Sequence, residues 1–135
     1  MHLAYWSYSA HLNFNHILWR AGKASYSGIR FACWYSYGGT EHETNDFSWI
    51  VSSLEKRLVN NRGSHVPPKN ALHITGPDNQ FEYCIIAKTE WGNIPGRTNT
   101  INAWFPFGGV EHGTNDFYWI VIGARKIITR IFIAT

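Results

Sequence analysis

The sequence has little cysteine, little charge and no long apolar run, and each shortage excludes a class of protein. Two cysteines among 135 residues cannot build a disulfide framework. Cys33 and Cys84 lie in apolar, strand-like runs, which predicts buried free thiols. No apolar stretch reaches the ~18 residues that a membrane-spanning helix needs. Lys and Arg number only 12, which is thin for a nucleic-acid binder, so we expect no nucleic-acid partner.

Targeting and catalytic signals are also missing. The N-terminal residues 1–6 lack a leader pattern, and no Asn-x-Ser/Thr acceptor occurs. These absences favour a cytoplasmic or unconventionally released protein, and removal of a leader would leave a secreted protein as the alternative. No nucleophile elbow, metal-ligand spacing or phosphate-binding glycine loop is present, so we expect no enzyme, no cofactor and no metal site.

Aromatic residues are abundant where charge is scarce. The chain has 7 Trp, 7 Tyr and 8 Phe, and apolar residues make up 44% of it. This composition is typical of a folded core rather than of a disordered chain. A length of 135 residues suits one domain.

One motif occurs twice. The segment from Trp34 to Val51 recurs from Trp104 to Val121, with 12 of 18 paired positions identical at a constant offset of 70. Copies of roughly 70 residues are short for two independently stable domains. We therefore predict a single domain, 1–135, made of two pseudo-symmetric repeats at about 1–55 and 56–135. The first repeat is short at its N-terminus, which leaves open a longer natural chain.

Both copies carry the local signals of strands. Short runs rich in aromatic and β-branched residues are separated by Gly, Pro, Asn and Asp. This spacing predicts an all-β fold, an antiparallel sandwich or barrel. The predicted strands cover 3–9, 31–37, 47–52, 81–88, 102–107 and 117–122. The duplicated tryptophans of these strands, predicted to lie in a shared core, are Trp34, Trp49, Trp104 and Trp119.

Four short turn patterns follow one another in the second copy. They are Val66-Pro-Pro-Lys-Asn-Ala71, Gly76-Pro-Asp78, Ile94-Pro-Gly-Arg97 and Gly108-Gly-Val-Glu-His112. In this order they resemble the DM-nine repeat family, which includes mannose-binding invertebrate lectins that act in innate recognition of microbes. The resemblance covers nearly the whole chain and implies a β-sandwich of tandem repeats.

The resemblance also implies a sugar pocket that uses Asp78 and Arg97. A carboxylate facing a cation can clamp two neighbouring hydroxyls of a hexose. Arg97 stands where the family has Lys, and the two cations are not interchangeable at a tight site. In the first copy Lys23 corresponds to Arg97, but no Asp corresponds to Asp78, so that copy holds at most half a pocket.

Two further residues are candidates near this pocket. Trp91 lies in the loop that leads to Arg97 and could stack on a sugar face. The duplicated pairs Glu41-His42 and Glu111-His112 suggest a structural role, in which Glu accepts turn amides. Glu111 could also form a polar rim beside the sugar.

We therefore predict a non-enzymatic lectin for mannose or mannose-type glycans. Because a single sugar binds weakly, function would need a homodimer or higher homo-oligomer. The alternative is a protein- or membrane-interaction module whose sugar pocket has decayed. The missing first-copy Asp and the Arg at position 97 favour that alternative.

Overall fold

The computed structural model describes residues 7–12, 19–26, 28–29, 31–50, 53–75 and 80–123, of which 7–12 and 19 are described by their backbone alone. These ranges contain strands and no helix, so the all-β prediction is confirmed. The strands are β1 Ser7–Leu12, β2 Trp19–Tyr26, β3 Phe31–Tyr37, β4 Thr40–Thr44, β5 Ser48–Trp49, β6 Lys56–Asn60, β7 His73–Thr75, β8 Phe81–Thr89, β9 Gly92–Thr98, β10 Ala103–Phe107, β11 Val110–Thr114 and β12 Phe117–Ile122.

All twelve strands join one antiparallel sheet. Its order is β5-β1-β2-β3-β4-β11-β10-β9-β8-β12-β6, with β7 paired to β8 off this path. The order has two ends, β5 and β6, so across the described residues the sheet does not close into a barrel, and the barrel form of the prediction is wrong. No helix in these ranges is long and apolar enough to cross a membrane.

The pairing order is the same in the two copies. In the first, β1 pairs with β2 and β5, and β3 pairs with β2 and β4. In the second, β8 pairs with β9 and β12, and β10 pairs with β9 and β11. The copies are joined in the sheet where Val110 of β11 pairs with Thr40 of β4.

Strands of different copies also touch away from that joint. β2 contacts β9, and β3 contacts β10, although neither pair is hydrogen-bonded. Among the described residues, the buried apolar cluster with the most members belongs to the second copy and contains Ala71, Ile85, Ala103, Phe117, Trp119 and Val121. Ala21 of β2 packs with Cys84 and Ile120, so the first copy contributes to a second cluster. Cys33 and Cys84 are both buried and form no disulfide, as predicted.

The duplicated tryptophans do not share one environment. Trp119 is buried, with 2% of its surface exposed, whereas Trp49 is 44% exposed. Trp34 and Trp104 are half-buried. The predicted core position of Trp49 is therefore wrong. The cause is its strand, since in the part of the chain that the structure describes β5 ends the sheet and pairs with β1 alone, whereas β12 lies between β8 and β6.

Candidate functional site

Lys23 and Arg97 occupy matching positions in the two copies. Lys23 on β2 pairs in register with Trp34, and Arg97 on β9 pairs with Trp104. Trp34 and Trp104 are duplicates at the offset of 70. Both cations point into the region where β2 and β9 approach each other, and both are nearly buried, with 3% and 7% exposed.

A glycine precedes each cation because the neighbouring strand is too close for a side chain. A Cβ at Gly22 would lie 2.6 Å from the Trp34 carbonyl oxygen and 2.9 Å from Cys33 Sγ. A Cβ at Gly96 would collide with the carbonyl oxygen of Trp104. The Gly-Lys and Gly-Arg dipeptides therefore serve close packing of the strands that carry the cations.

Each guanidinium nitrogen of Arg97 contacts another residue of the protein. Its Nη2 lies 2.8 Å from Glu111 Oε2, and its Nη1 lies 3.3 Å from Glu82 Oε2. Its Nε donates to the carbonyl oxygen of Ser36 on β3, at 3.1 Å. The guanidinium also covers the Trp104 ring, 4.4 Å from its centroid. Arg97 therefore links β8, β11 and β3 across the two copies.

Lys23 makes the corresponding contacts from the first copy, with a glutamate of its own copy and a backbone carbonyl of the second. Its Nζ lies 3.2 Å from Glu41 Oε2 and donates to the carbonyl oxygen of Pro106 at 2.6 Å. Pro106 is the counterpart of Ser36 at the offset of 70. Burial lowers the pKa of Lys23 below its usual value, and the Glu41 carboxylate opposes that shift.

The two Gly-Gly turns exchange hydrogen bonds through their glutamates. Gly39 N donates to Glu111 Oε1 at 2.9 Å, and Gly109 N donates to Glu41 Oε1 at 2.8 Å. The backbone repeats the exchange, since each glutamate amide donates to the opposite glycine carbonyl, Gly109 or Gly39, at 3.1 Å. The predicted acceptance of turn amides is confirmed, with the correction that the amide belongs to the other copy.

Each histidine of the duplicated motif contacts a backbone carbonyl of its own hairpin. His42 Nε2 lies 3.1 Å from the carbonyl oxygen of Tyr37, and His112 Nε2 lies 2.9 Å from that of Phe107. Each imidazole also stacks on an aromatic ring of the adjacent strand, Tyr35 for His42 and Phe105 for His112. These contacts fit the structural role predicted for the Glu-His pairs.

Sequence reasoning missed the ionic contacts of Glu82, which pairs with Arg20 as well as with Arg97. Its Oε2 lies 3.1 Å from Arg20 Nη1, and its Oε1 accepts the Ala21 amide at 2.9 Å. Burial lowers the pKa of Arg20, an effect that Glu82 opposes and Arg97 reinforces. A signal was present in the sequence, because Glu82 shares a face of its strand with Cys84, which was predicted to be buried.

Of the other predicted site residues, Glu111 lies beside Arg97 and Trp91 lies near Lys23. Arg97 and Glu111 come together as an ion pair. Trp91, 47% exposed, stacks on Phe107 at 4.6 Å, and Lys23 Nζ lies 5.1 Å from the same Phe107 ring. Trp91 therefore belongs with Lys23. Asp78 lies outside the described residues.

The site as a whole is balanced in charge. Three cations, Arg20, Lys23 and Arg97, face three carboxylates, Glu41, Glu82 and Glu111. Such a set offers donors and acceptors together and no surplus charge for an ionic ligand. No protein-family model and no curated protein matches this chain.

Proposed function

We propose that this protein is a non-catalytic lectin that recognises mannose or mannose-containing glycans and acts in innate recognition of microbes. The observation that carries the proposal is the charge-balanced set of cations and carboxylates, repeated in the two copies. A hexose is neutral, and each of its hydroxyls both donates and accepts. A paired cation and carboxylate therefore complements two neighbouring hydroxyls better than it complements an ion.

In the second copy, the proposed pocket combines Asp78 with Arg97. Asp78 supplies an acceptor, and Arg97 supplies N–H donors beside the Glu111 carboxylate. Because a guanidinium is a planar fork and an ammonium is compact, Arg97 presents hydroxyls with a different geometry from the Lys of the resembling lectins. The specificity of this site is expected to differ accordingly.

The proposal extends to the assembly. The contacts of β2 with β9 and of β3 with β10 support two pseudo-symmetric repeats that face each other as a sandwich within one domain. The proposed complete pocket is that of the second copy, which contains Asp78. A homodimer or higher homo-oligomer would then raise weak binding through multivalency.

A second candidate function rests on the burial of the cations. Arg97 exposes only 7% of its surface, and its nitrogens already contact Ser36, Glu82 and Glu111. A sugar would have to displace some of these partners. A protein- or membrane-interaction module, in which the same cluster only joins the two copies, is therefore the competing proposal.

Isothermal titration with mannose and a panel of monosaccharides separates the two functions. We expect mannose binding near 1 mM, about 4 kcal/mol, typical of a monosaccharide with few contacts. Asp78→Asn should abolish it, because the amide removes the acceptor charge. The matched control is Asp46→Asn, an exposed carboxylate at the end of the first-copy hairpin, which should bind like the parent.

Arg97→Lys gives a second comparison, since it restores the cation of the resembling lectins. We expect this variant to keep mannose binding with changed selectivity across the panel. A parent that binds no sugar at tens of millimolar, while its circular dichroism shows a folded β protein, would reject the lectin proposal in favour of the interaction module.

A further inference from the structure

An open groove of about 400 Å³ lies between the beginning of β8 and the loop that follows β9. Its lining residues are Gln80, Phe81, Tyr83, Asn99 and Thr100. None of the five carries a charge at neutral pH, and together they offer amide, hydroxyl and aromatic groups. The groove therefore suits a neutral polar ligand that also has an apolar face.

The aromatic side of the groove is an exposed ring that packs against further rings of the protein. Phe81 is 56% exposed, and its ring lies 4.3 Å from the His73 imidazole. His73 in turn contacts Tyr83, whose ring meets buried Trp119 edge-on at 5.8 Å. A ring held in this way loses little freedom when a sugar stacks on it.

The opposite wall is a loop fixed by its own side chains. Asn99 Oδ1 accepts the amides of Ile101 and Asn102, at 2.9 and 2.8 Å. Thr98 Oγ1 accepts the Thr100 amide at 3.1 Å and donates to the Asn102 carbonyl at 2.7 Å. These bonds orient the Asn99 carboxamide and leave its NH2 group as a donor.

Thr100 occupies a backbone conformation that its residue type seldom adopts. Its φ is 76°, in the left-handed region, where a β-branched residue is an outlier. Such conformations persist where the surroundings determine them and are concentrated at ligand sites. The loop wall is thus shaped before any ligand arrives.

We infer that this groove binds a further sugar unit of an oligosaccharide whose first unit is held by the pocket of the proposed function. The inference rests on that function. Asp78 stands two residues before Gln80, and two residues of chain span at most about 7 Å. Because side chains alternate along β8, the groove that Phe81 and Tyr83 line is on the opposite face of the strand from Glu82. In this proposal the glycan therefore passes around the beginning of β8 to reach both sites.

The test compares mannose with mannotriose by titration calorimetry. Three sugars per ligand give a statistical gain of roughly threefold without any added contact. An occupied groove should raise the gain to about tenfold or more, an added 0.7 kcal/mol or so. Asn99→Asp keeps the acceptor that holds the loop and removes the NH2 donor. Phe81→Leu keeps apolar volume and removes the flat ring.

Each variant has a matched control elsewhere in the chain. Asn60→Asp alters an exposed Asn whose Oδ1 also accepts a turn amide, that of Arg62. Phe31→Leu alters a first-copy ring that is 49% exposed. We expect the groove variants to lose the trisaccharide gain at unchanged mannose affinity, and the control variants to keep both.

The outcomes separate the groove from the lectin itself. A parent that binds mannose but gains no more than threefold with mannotriose would refute the groove and leave the lectin intact. The groove is likewise refuted if both groove variants retain the full gain. A parent that binds neither sugar would reject the proposed function, and the groove with it.

Discussion

At the scale of single residues, the interior of this protein is unusual for the charges that it holds. Arg20, Lys23 and Arg97 are each under 9% exposed. A buried charge is tolerated only when a partner of opposite sign and further hydrogen bonds replace its water. Glu82 is an ion-pair partner of two of the three cations, Arg20 and Arg97. We therefore expect the cluster to depend most on Glu82.

Replacing Glu82 by Gln should therefore destabilise the protein strongly. The amide keeps the shape but leaves two buried guanidinium groups without their shared carboxylate. We expect the free energy of unfolding to fall by about 3 kcal/mol in urea denaturation. Glu90→Gln, an exposed position, is the control and should change it by no more than about 0.5 kcal/mol. Equal effects of the two substitutions would contradict the structural role of Glu82.

Cys84 gives a prediction about alkaline pH. Its thiol is completely buried, and burial raises its pKa above the ordinary value of 9.0. Above pH 9 the unfolded thiol loses its proton whereas the folded one keeps it, so stability falls as pH rises. The contribution of this thiol is about 1.4 kcal/mol per pH unit.

Denaturant titrations between pH 8 and 10.5 measure this contribution as the difference in slope between the parent and Cys84→Ala. The comparison of slopes removes the effect of the lost side-chain volume. Parallel pH profiles for the two proteins would show that the Cys84 thiol is accessible to water.

At the scale of elements, local sequence locates some strands and misses others. The sequence predicts no strand at β2, β4, β6, β7, β9 or β11, it places β1 at 3–9 instead of Ser7–Leu12, and its predicted turn at 94–97 lies within β9. The run predicted at 117–122 is β12, and the run predicted at 81–88 is β8 with one more residue. Trp49 and Trp119 have nearly the same local sequence yet differ in burial. Their difference comes from the neighbours of β5 and β12, which lie far away in the chain.

Two glycine substitutions should differ in cost because β9 lies close to β10 whereas Gly113 of β11 has open space beside it. Gly96→Ala places a methyl group against the Trp104 carbonyl oxygen and should destabilise the protein by about 2 kcal/mol. Gly113→Ala, on β11, meets nothing nearer than the Ala103 carbonyl oxygen at 3.9 Å. It should change stability by no more than about 1 kcal/mol. Thermal unfolding of both variants decides the point, and a Gly96→Ala variant as stable as Gly113→Ala would contradict the packing described.

At the scale of the whole molecule, residues at matching positions of the two copies form hydrogen bonds between the copies. Glu41 and Glu111 each accept an amide of the other copy's Gly-Gly turn. Lys23 and Arg97 each donate to a strand of the other copy. The sequence revealed the repeat and the matching cations. It could not reveal that their contacts cross between copies, because this depends on how distant strands meet.

Such crossing contacts predict that the chain unfolds as one unit. Far-ultraviolet circular dichroism and tryptophan fluorescence should report the same midpoint in urea, with a single transition. Two separated transitions would show that the copies fold independently.

The most direct test of the central claim follows mannose binding residue by residue. A heteronuclear magnetic resonance titration resolves the side-chain Nε–H of Arg97 and the backbone amide of Asp78. If the protein is a mannose lectin, both signals shift and saturate at millimolar mannose, while signals of the first-copy turn at Asp46 stay in place. Signals at Asp78 and Arg97 that do not move at tens of millimolar mannose would contradict the lectin function.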